Sequence, residues 1–277
     1  MAYQAKIIED SVNKFGNRLT TFEVTFPRIV LAELNTHRMF SRNSASSRAI
    51  PVEKMINRVI DDPFIPIHWG KNQPGMKADE QIGELEQAEA CRVWLEARNG
   101  AVRRVKKLID VGVHKQIANR LLEPFLWHTT IITATEYGNF FNQRCHPDAQ
   151  PEIRKIAEMM KDLYFFQEPY KRAFHLPYIQ AEDCVFDLEI LKKVSVARCA
   201  RVSYLTHDGK RDIEKDIELH NKLITGQHMS PFEHVATADN QDKDKWYGNF
   251  KGWVQYRKRI SGENRSHYTV SSGGKEE

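Results

Sequence analysis

The chain has 277 residues, enough for one large domain or two modest ones with a sizeable buried core. Hydrophobic residues make up 41% and charged residues 28%, the balance of an ordinary globular protein. The 41 basic and 37 acidic residues leave a formal charge of +4, which fits an anionic small molecule at least as well as a nucleic acid. Cys91, Cys145, Cys184 and Cys199 are scattered with no C-x-x-C pair, so neither a disulfide framework nor a zinc ribbon is indicated. No charged-then-apolar leader opens the chain and no apolar run approaches the roughly 18 residues of a membrane span, so a cytoplasmic protein with no membrane partner is expected.

Tyr3 to Glu9 and Leu19 to Phe26 are β-rich runs separated by Asn13-Lys14-Phe15-Gly16-Asn17, which predicts a hairpin. Pro27 to Leu34 reads as a helix with proline at its first position. Then comes Thr36-His37-Arg38-Met39-Phe40-Ser41-Arg42-Asn43-Ser44-Ala45-Ser46-Ser47-Arg48, a polar stretch with four serines and three arginines, read as a loop. A short helix is predicted from Pro51 to about Asp61. Residues 62–79, rich in Pro and Gly, form a surface loop, either a lid or a plain connector.

From about Ala78 to Val111, Ile82, Leu85, Ala88, Val93, Leu95, Val102, Val105 and Leu108 recur at helical spacing, with Asn99-Gly100 expected to bend or split the segment. A helix over His114 to Leu122 should end before Pro124. Thr133 to Arg144 and Asp148 to Phe166 are helical by pattern, the second with a buried stripe through Ile153, Ile156 and Met160. Residues 167–187 are loop-like, and another helix precedes Arg201-Val202-Ser203-Tyr204. Asp212 to Thr225 is amphipathic and stops at Gly226. The tail 266–277 is expected to be disordered.

Small hydroxyls and backbone N–H groups suit phosphate oxygens, and arginine adds a bidentate fork, so 36–48 is either a solvated loop or an anion cradle. Familiar catalytic templates are absent: no G-x-S-x-G, P-loop, G-x-G-x-x-G or H-E-x-x-H. His228 and His234 lack the spacing of a helical metal pair, and no metal site is expected. Cys145 beside His146 is either a nucleophile or an incidental cysteine, and adjacent helix residues do not face each other. Three clusters remain: Asn139-Phe140-Phe141-Asn142-Gln143-Arg144 with Asp148-Ala149-Gln150-Pro151-Glu152-Ile153, Arg201-Val202-Ser203-Tyr204, and Gly226-Gln227-His228-Met229-Ser230-Pro231-Phe232-Glu233-His234.

Taken together, these stretches resemble the flavin-dependent thymidylate synthases, the ThyX family. The family's Arg-His-Arg and Ser-x-Asn-x-x-Ser-x-Arg elements correspond to Thr36 to Arg38 and Ser41 to Arg48. Its Asn-Phe-Leu-x-x-Arg and Ala-Gln-x-Glu-Ile elements correspond to Asn139 to Arg144 and Ala149 to Ile153. Its Ala-Arg-Val-Ser and Gly-His-x-Ser/Thr-Pro-Phe-Glu-His elements correspond to Ala200 to Ser203 and Gly226 to His234, with Gln227 inserted. These last two open the chain in the usual arrangement and close it here. The order resembles a circular permutation joined near 167–195, as in some bacteriophage-encoded members, within a single domain over 1–265. The fold class implied is α+β, a small antiparallel sheet flanked by helices.

The resemblance implies a homotetramer with sites shared between subunits, which makes dTMP from dUMP with methylenetetrahydrofolate, FAD and NADPH. It assigns Glu33, Ser44, Ala45, Ser46, Ser47, Arg48, Arg120 and Arg144 to the nucleotide, with Arg144 and Ser46 nearest the chemistry. His37, Arg38, Met39, Asn139, Asp148, Ser203, His228, Ser230 and Glu233 are assigned to the flavin and folate. No protein nucleophile is required.

Several positions depart from the family. Thr36 replaces the first arginine, Ser44 a glutamate, Asp148 a histidine and Thr135 an arginine, while Glu33 stands for a glutamine. Arg257 or Arg259 is a candidate to restore the missing cation. A hydroxymethylase of the same fold, with water capturing the one-carbon unit, is the alternative these departures raise. A nucleic-acid-binding protein is the alternative from another class, and the small net charge argues against it.

Overall fold

Strands β1 (Gln4–Val12) and β2 (Arg18–Pro27) pair as the expected antiparallel hairpin in a computed structural model that describes residues 3–48, 50–202 and 212–263. Asn13 Oδ1 accepts from the backbone N–H groups of Phe15 and Asn17 at 2.9 and 3.0 Å, closing the turn. Gly16 takes φ +90° there, a region L side chains rarely enter. Ser203, Tyr204 and the tail 266–277 lie outside the described residues.

Pro27 is the last strand residue rather than a helix start. A 3-10 turn, Arg28–Val30, leads into the single turn α1 (Leu31–Leu34). The serine-rich stretch is not all loop, because Ser41–Ser44 forms edge strand β3. Helices α2 (Val52–Asp61) and α3 (Glu84–Asp110) follow. α3 runs unbroken for 27 residues, so Asn99-Gly100 does not split it. Buried Gly100 lies inside the helix, at a cost of about 1 kcal/mol relative to alanine. The helix expected over 114–122 is one turn, α4 (Lys115–Ala118), continued by a 3-10 segment, Asn119–Phe125, that absorbs Pro124.

The largest correction lies at 127–144. Thr133 and Ala134 end strand β4 (Trp127–Ala134), and helix begins only at α5 (Gly138–Arg144). β4 sits between β2 and β3 with most of its residues buried, so it lacks the alternation that marks a one-sided strand. α6 (Pro151–Phe166) starts with Pro151, whose missing N–H would be unpaired there in any case. Residues 167–187 hold two short strands, β5 (Tyr170–Lys171) and β6 (Phe174–His175), and a 3-10 turn, Ala181–Val185. Then come α7 (Leu188–Arg201), α8 (Ile213–Thr225), a 3-10 turn Ser230–Glu233, and β7 (Ala236–Ala238). β8 (Trp246–Tyr247), β9 (Phe250–Lys251) and β10 (Trp253–Gln255) close the described chain.

The main sheet has strand order β3-β4-β2-β1-β5, and a second sheet has order β10-β7-β6. Phe22, Val24, Phe26 and Ile132 on one face pack against Phe140, Phe141, Ile153, Ile156 and Met160 of α5 and α6. On the other face Ile131 meets Cys199 and Val202. α2, α3 and the 3-10 segment share a separate core around Met55, Val59, Val105 and Leu122.

A buried polar chain joins the two sheets, and its direction is fixed from one end. Ser11 Oγ donates to Glu9 at 3.2 Å, so it accepts from His175 Nδ1 at 2.8 Å. His175 Nε2 then accepts from Thr21 Oγ1, Thr21 from Thr133 Oγ1, and Thr133 from His234 Nδ1, each at 2.7 Å. His175 is therefore neutral with its proton on Nδ1, and burial lowers both histidines to a pKa of about 3.

Candidate functional site

Arg144, the last residue of α5, is held by residues 33–37. Its Nε donates to His37 Nε2 at 2.9 Å, and its Nη2 to Thr36 Oγ1 at 3.4 Å. Its Nη1 lies 3.7 Å from Glu33 Oε2. Thr36 Oγ1 gives its own proton to the Glu33 carbonyl at 2.7 Å, which leaves a lone pair for the guanidinium. His37 is buried, and burial together with the Arg144 and Arg42 charges lowers its pKa to about 4. Desolvation raises the Glu33 carboxyl, opposed by Arg144.

This cluster flanks a cleft of about 420 Å³ between Thr36–Phe40 and the residues Glu136, Asn139, Phe140 and Gln143. Phe40 and Phe140 are buried, whereas Arg38, Asn139 and Gln143 are exposed and supply donors. Thus Glu33, Thr36, His37, Arg38, Met39, Asn139 and Arg144 come together from two stretches a hundred residues apart in sequence.

The serine-rich stretch also meets the proline corner. Ser230 Oγ donates to Asn43 Oδ1 at 3.2 Å, and Asn43 Nδ2 donates to the Cys199 carbonyl at 2.8 Å near the end of α7. Glu233, on the same 3-10 turn as Ser230, is ion-paired with Arg257, which also binds Glu263 at 2.5 Å. Arg257 is thus engaged by two carboxylates beside the corner. His228 is exposed, with its ring against Gly226. Ser203 lies outside the described residues.

Two of the other nucleotide candidates, Ser47 and Arg120, meet at Glu123, a residue that sequence reasoning missed. Its Oε1 accepts from Ser47 Oγ at 2.8 Å, Arg120 Nη1 at 2.7 Å and Arg28 Nη2 at 3.4 Å. The only local signal was the Arg120–Glu123 spacing of one helical turn. Buried Asn119 shapes the same turn by donating to the carbonyls of Ser47 and Ile50 at 2.8 and 3.0 Å. Ser44 Oγ donates to Thr130 at 2.9 Å, Ala45 is buried, Ser46 is half-buried and Arg48 is exposed. A cavity of about 250 Å³ opens beside Ala45, Arg58, Asp61 and Trp127.

Asp148 is placed elsewhere. It pairs with Lys77 of the 62–79 loop at 2.6 Å and lines a cleft of about 590 Å³ between that loop and the start of α6. The loop therefore covers a surface near α6, distinct from the His37 cleft.

A family model for thymidylate synthase complementing proteins matches residues 17–168, more than half of the chain. The chain belongs to that family. Among solved structures it is similar to a UMP/dUMP methylase, PolB, from Streptomyces cacaoi. In the complex with 5-Br dUMP the identity is 17%, the match covers 59% of this chain and 90% of that one, and the TM-score is 0.46. In the complex with 5-Br UMP the corresponding values are 15%, 59%, 88% and 0.47. No curated protein matches the chain. Among the described residues, no helix is long and apolar enough to cross a membrane.

Proposed function

We propose that the chain is a flavin-dependent enzyme that converts dUMP to dTMP, with methylenetetrahydrofolate as one-carbon donor and NADPH as reductant. Family membership supports this, and the observation that carries it is the hydrogen bond between Ser230 and Asn43. It draws the two motif-bearing ends of the sequence to one place, as a shared cleft requires.

The residues present fit a flavin. Buried Phe40 and Phe140 give the cleft an apolar floor, and Arg38, Asn139 and Gln143 supply donors for the polar edge of a planar ring. His37, Arg38, Met39 and Asn139 would hold it, with Ser230, Glu233 and His228 approaching from the proline corner. When bound, the flavin supplies the hydride that reduces the transferred carbon. Arg144 would hold a fixed cation against the pyrimidine, stabilising charge on a ring oxygen. Ser44, Ala45, Ser46, Ser47, Arg48 and Arg120 would flank the phosphate end, with the Ser46 hydroxyl, backbone N–H groups and the two guanidinium groups as donors. By family resemblance the active form is a homotetramer whose sites combine residues from several subunits.

Thr36 and Ser44, which stand where the family has an arginine and a glutamate, favour a second outcome, hydroxymethylation, in which water captures the one-carbon unit. The test is purified protein, checked for yellow colour and incubated with dUMP, methylenetetrahydrofolate, FAD and NADPH. Mass spectrometry of the product separates dTMP from the species heavier by one oxygen. Absence of both products, with no dUMP binding, overturns the proposal.

A further inference from the structure

Arg42 has no role in the site as assigned above, yet it touches the backbone that carries it. Its Nη1 donates to the Leu34 carbonyl at 3.2 Å and to the His37 carbonyl at 3.4 Å. Both carbonyls also accept from the backbone, Leu34 from the His37 N–H at 3.2 Å and His37 from the Phe40 N–H at 3.3 Å, so Arg42 adds a second donor to each and pins the turn that presents His37. The His37 ring is gripped edge-on by Phe140, with centroids 4.9 Å apart at 89°, so it has little freedom to rotate. Its Nε2 accepts from Arg144, which places the ring proton on Nδ1 and requires a neutral imidazole.

We propose that Arg42 is a positioning residue. By its two backbone hydrogen bonds and its charge it keeps His37 fixed and neutral, so that His37 Nε2 remains the acceptor that aims Arg144 at the nucleotide. This rests on Arg144 being the nucleotide's cation. The charges around His37 are Arg144 from α5, Arg42 from β3 and Arg38 from its own turn. Against these stand Glu33 of α1, near Arg144, Glu136 across the cleft, and Glu233, which faces Arg42. The cations are the closer set: Arg144 and Arg42 both oppose protonation of His37. A protonated His37 offers Arg144 no lone pair and repels it.

The test compares wild type with Arg42→Leu, which removes charge and hydrogen bonds, and with Arg42→Gln, which keeps a donor but not the charge. His37 titration is read by NMR of histidine-labelled protein, and dUMP affinity by calorimetry at about pH 8 and about pH 4.5. In both variants His37 should titrate about one unit higher than in wild type, and between about pH 8 and about pH 4.5 dUMP affinity should fall about threefold more than in wild type. Arg42→Lys, which retains the charge, should keep the wild-type titration. Unchanged His37 titration in folded Arg42→Gln overturns the inference. If Arg144→Ala leaves dUMP affinity intact, the nucleotide assignment fails instead, and the His37 titration still decides whether Arg42 holds that ring neutral.

Discussion

Ser230 Oγ and Asn43 Oδ1 meet at 3.2 Å across 187 positions of sequence. Asn43 also donates to the Cys199 carbonyl at 2.8 Å, and its own carbonyl accepts from Thr130 Oγ1 at 3.0 Å. One side chain therefore ties edge strand β3 to α7 and to the proline corner. Asn43→Ala should cost about 1–3 kcal/mol by leaving both partners unpaired. It should also weaken flavin and dUMP binding together. Urea denaturation and binding titrations on one preparation check both.

Arg144→Ala and Arg144→Lys should each lower kcat/KM for dUMP on the order of a hundredfold or more, since lysine keeps the charge but not the fork held by His37 and Thr36. Circular dichroism should be unchanged, because the side chain is only part-buried at a cleft edge. Wild-type turnover in both variants would remove Arg144 from the site.

Acid should unfold the protein through its buried histidines. His128, His175 and His234 are each lowered from 6.5 to about 3 by burial. Below pH 6.5 the unfolded chain binds protons that the folded one refuses. The stability present above 6.5 is thus lost as pH falls toward 3, by up to about 1.4 kcal/mol per pH unit for each histidine. Thermal melts between pH 7.5 and 4.5 should decline steadily, and a flat profile would contradict the buried neutral state.

Gln227 sits at φ 55°, the left-handed position after α8 where glycine is usual. His228 N–H bonds to the Leu223 carbonyl at 2.9 Å and Gln227 N–H to that of Ile224 at 3.0 Å, the two bonds of a Schellman cap. Gln227→Gly should raise stability by about 1 kcal/mol. Gly226→Ala should lower it, because the added carbon would lie 2.9 Å from the His228 ring and 3.2 Å from the Lys222 carbonyl. Paired thermal melts check the opposite signs.

The sequence by itself determined the β1–β2 hairpin, α2, α6 and α8, because each is encoded in turn residues, caps and periodicity spanning a few neighbours. It also determined the family, because the motif residues between Thr36 and Ile153 keep their type and local spacing. Only the tertiary structure decided that 127–134 is a strand. Burial on both faces erases its period, and β3 becomes a strand only by pairing with it across more than eighty residues. The same holds for Glu123 and Arg42, charged residues whose local sequence reads as solvated surface. Their partners, Ser47 and Arg28 for one and the Leu34 and His37 carbonyls for the other, are brought to them by packing. A carboxylate or guanidinium gains a defined role only where the fold limits its solvent and supplies its counter-groups, and no local pattern encodes that.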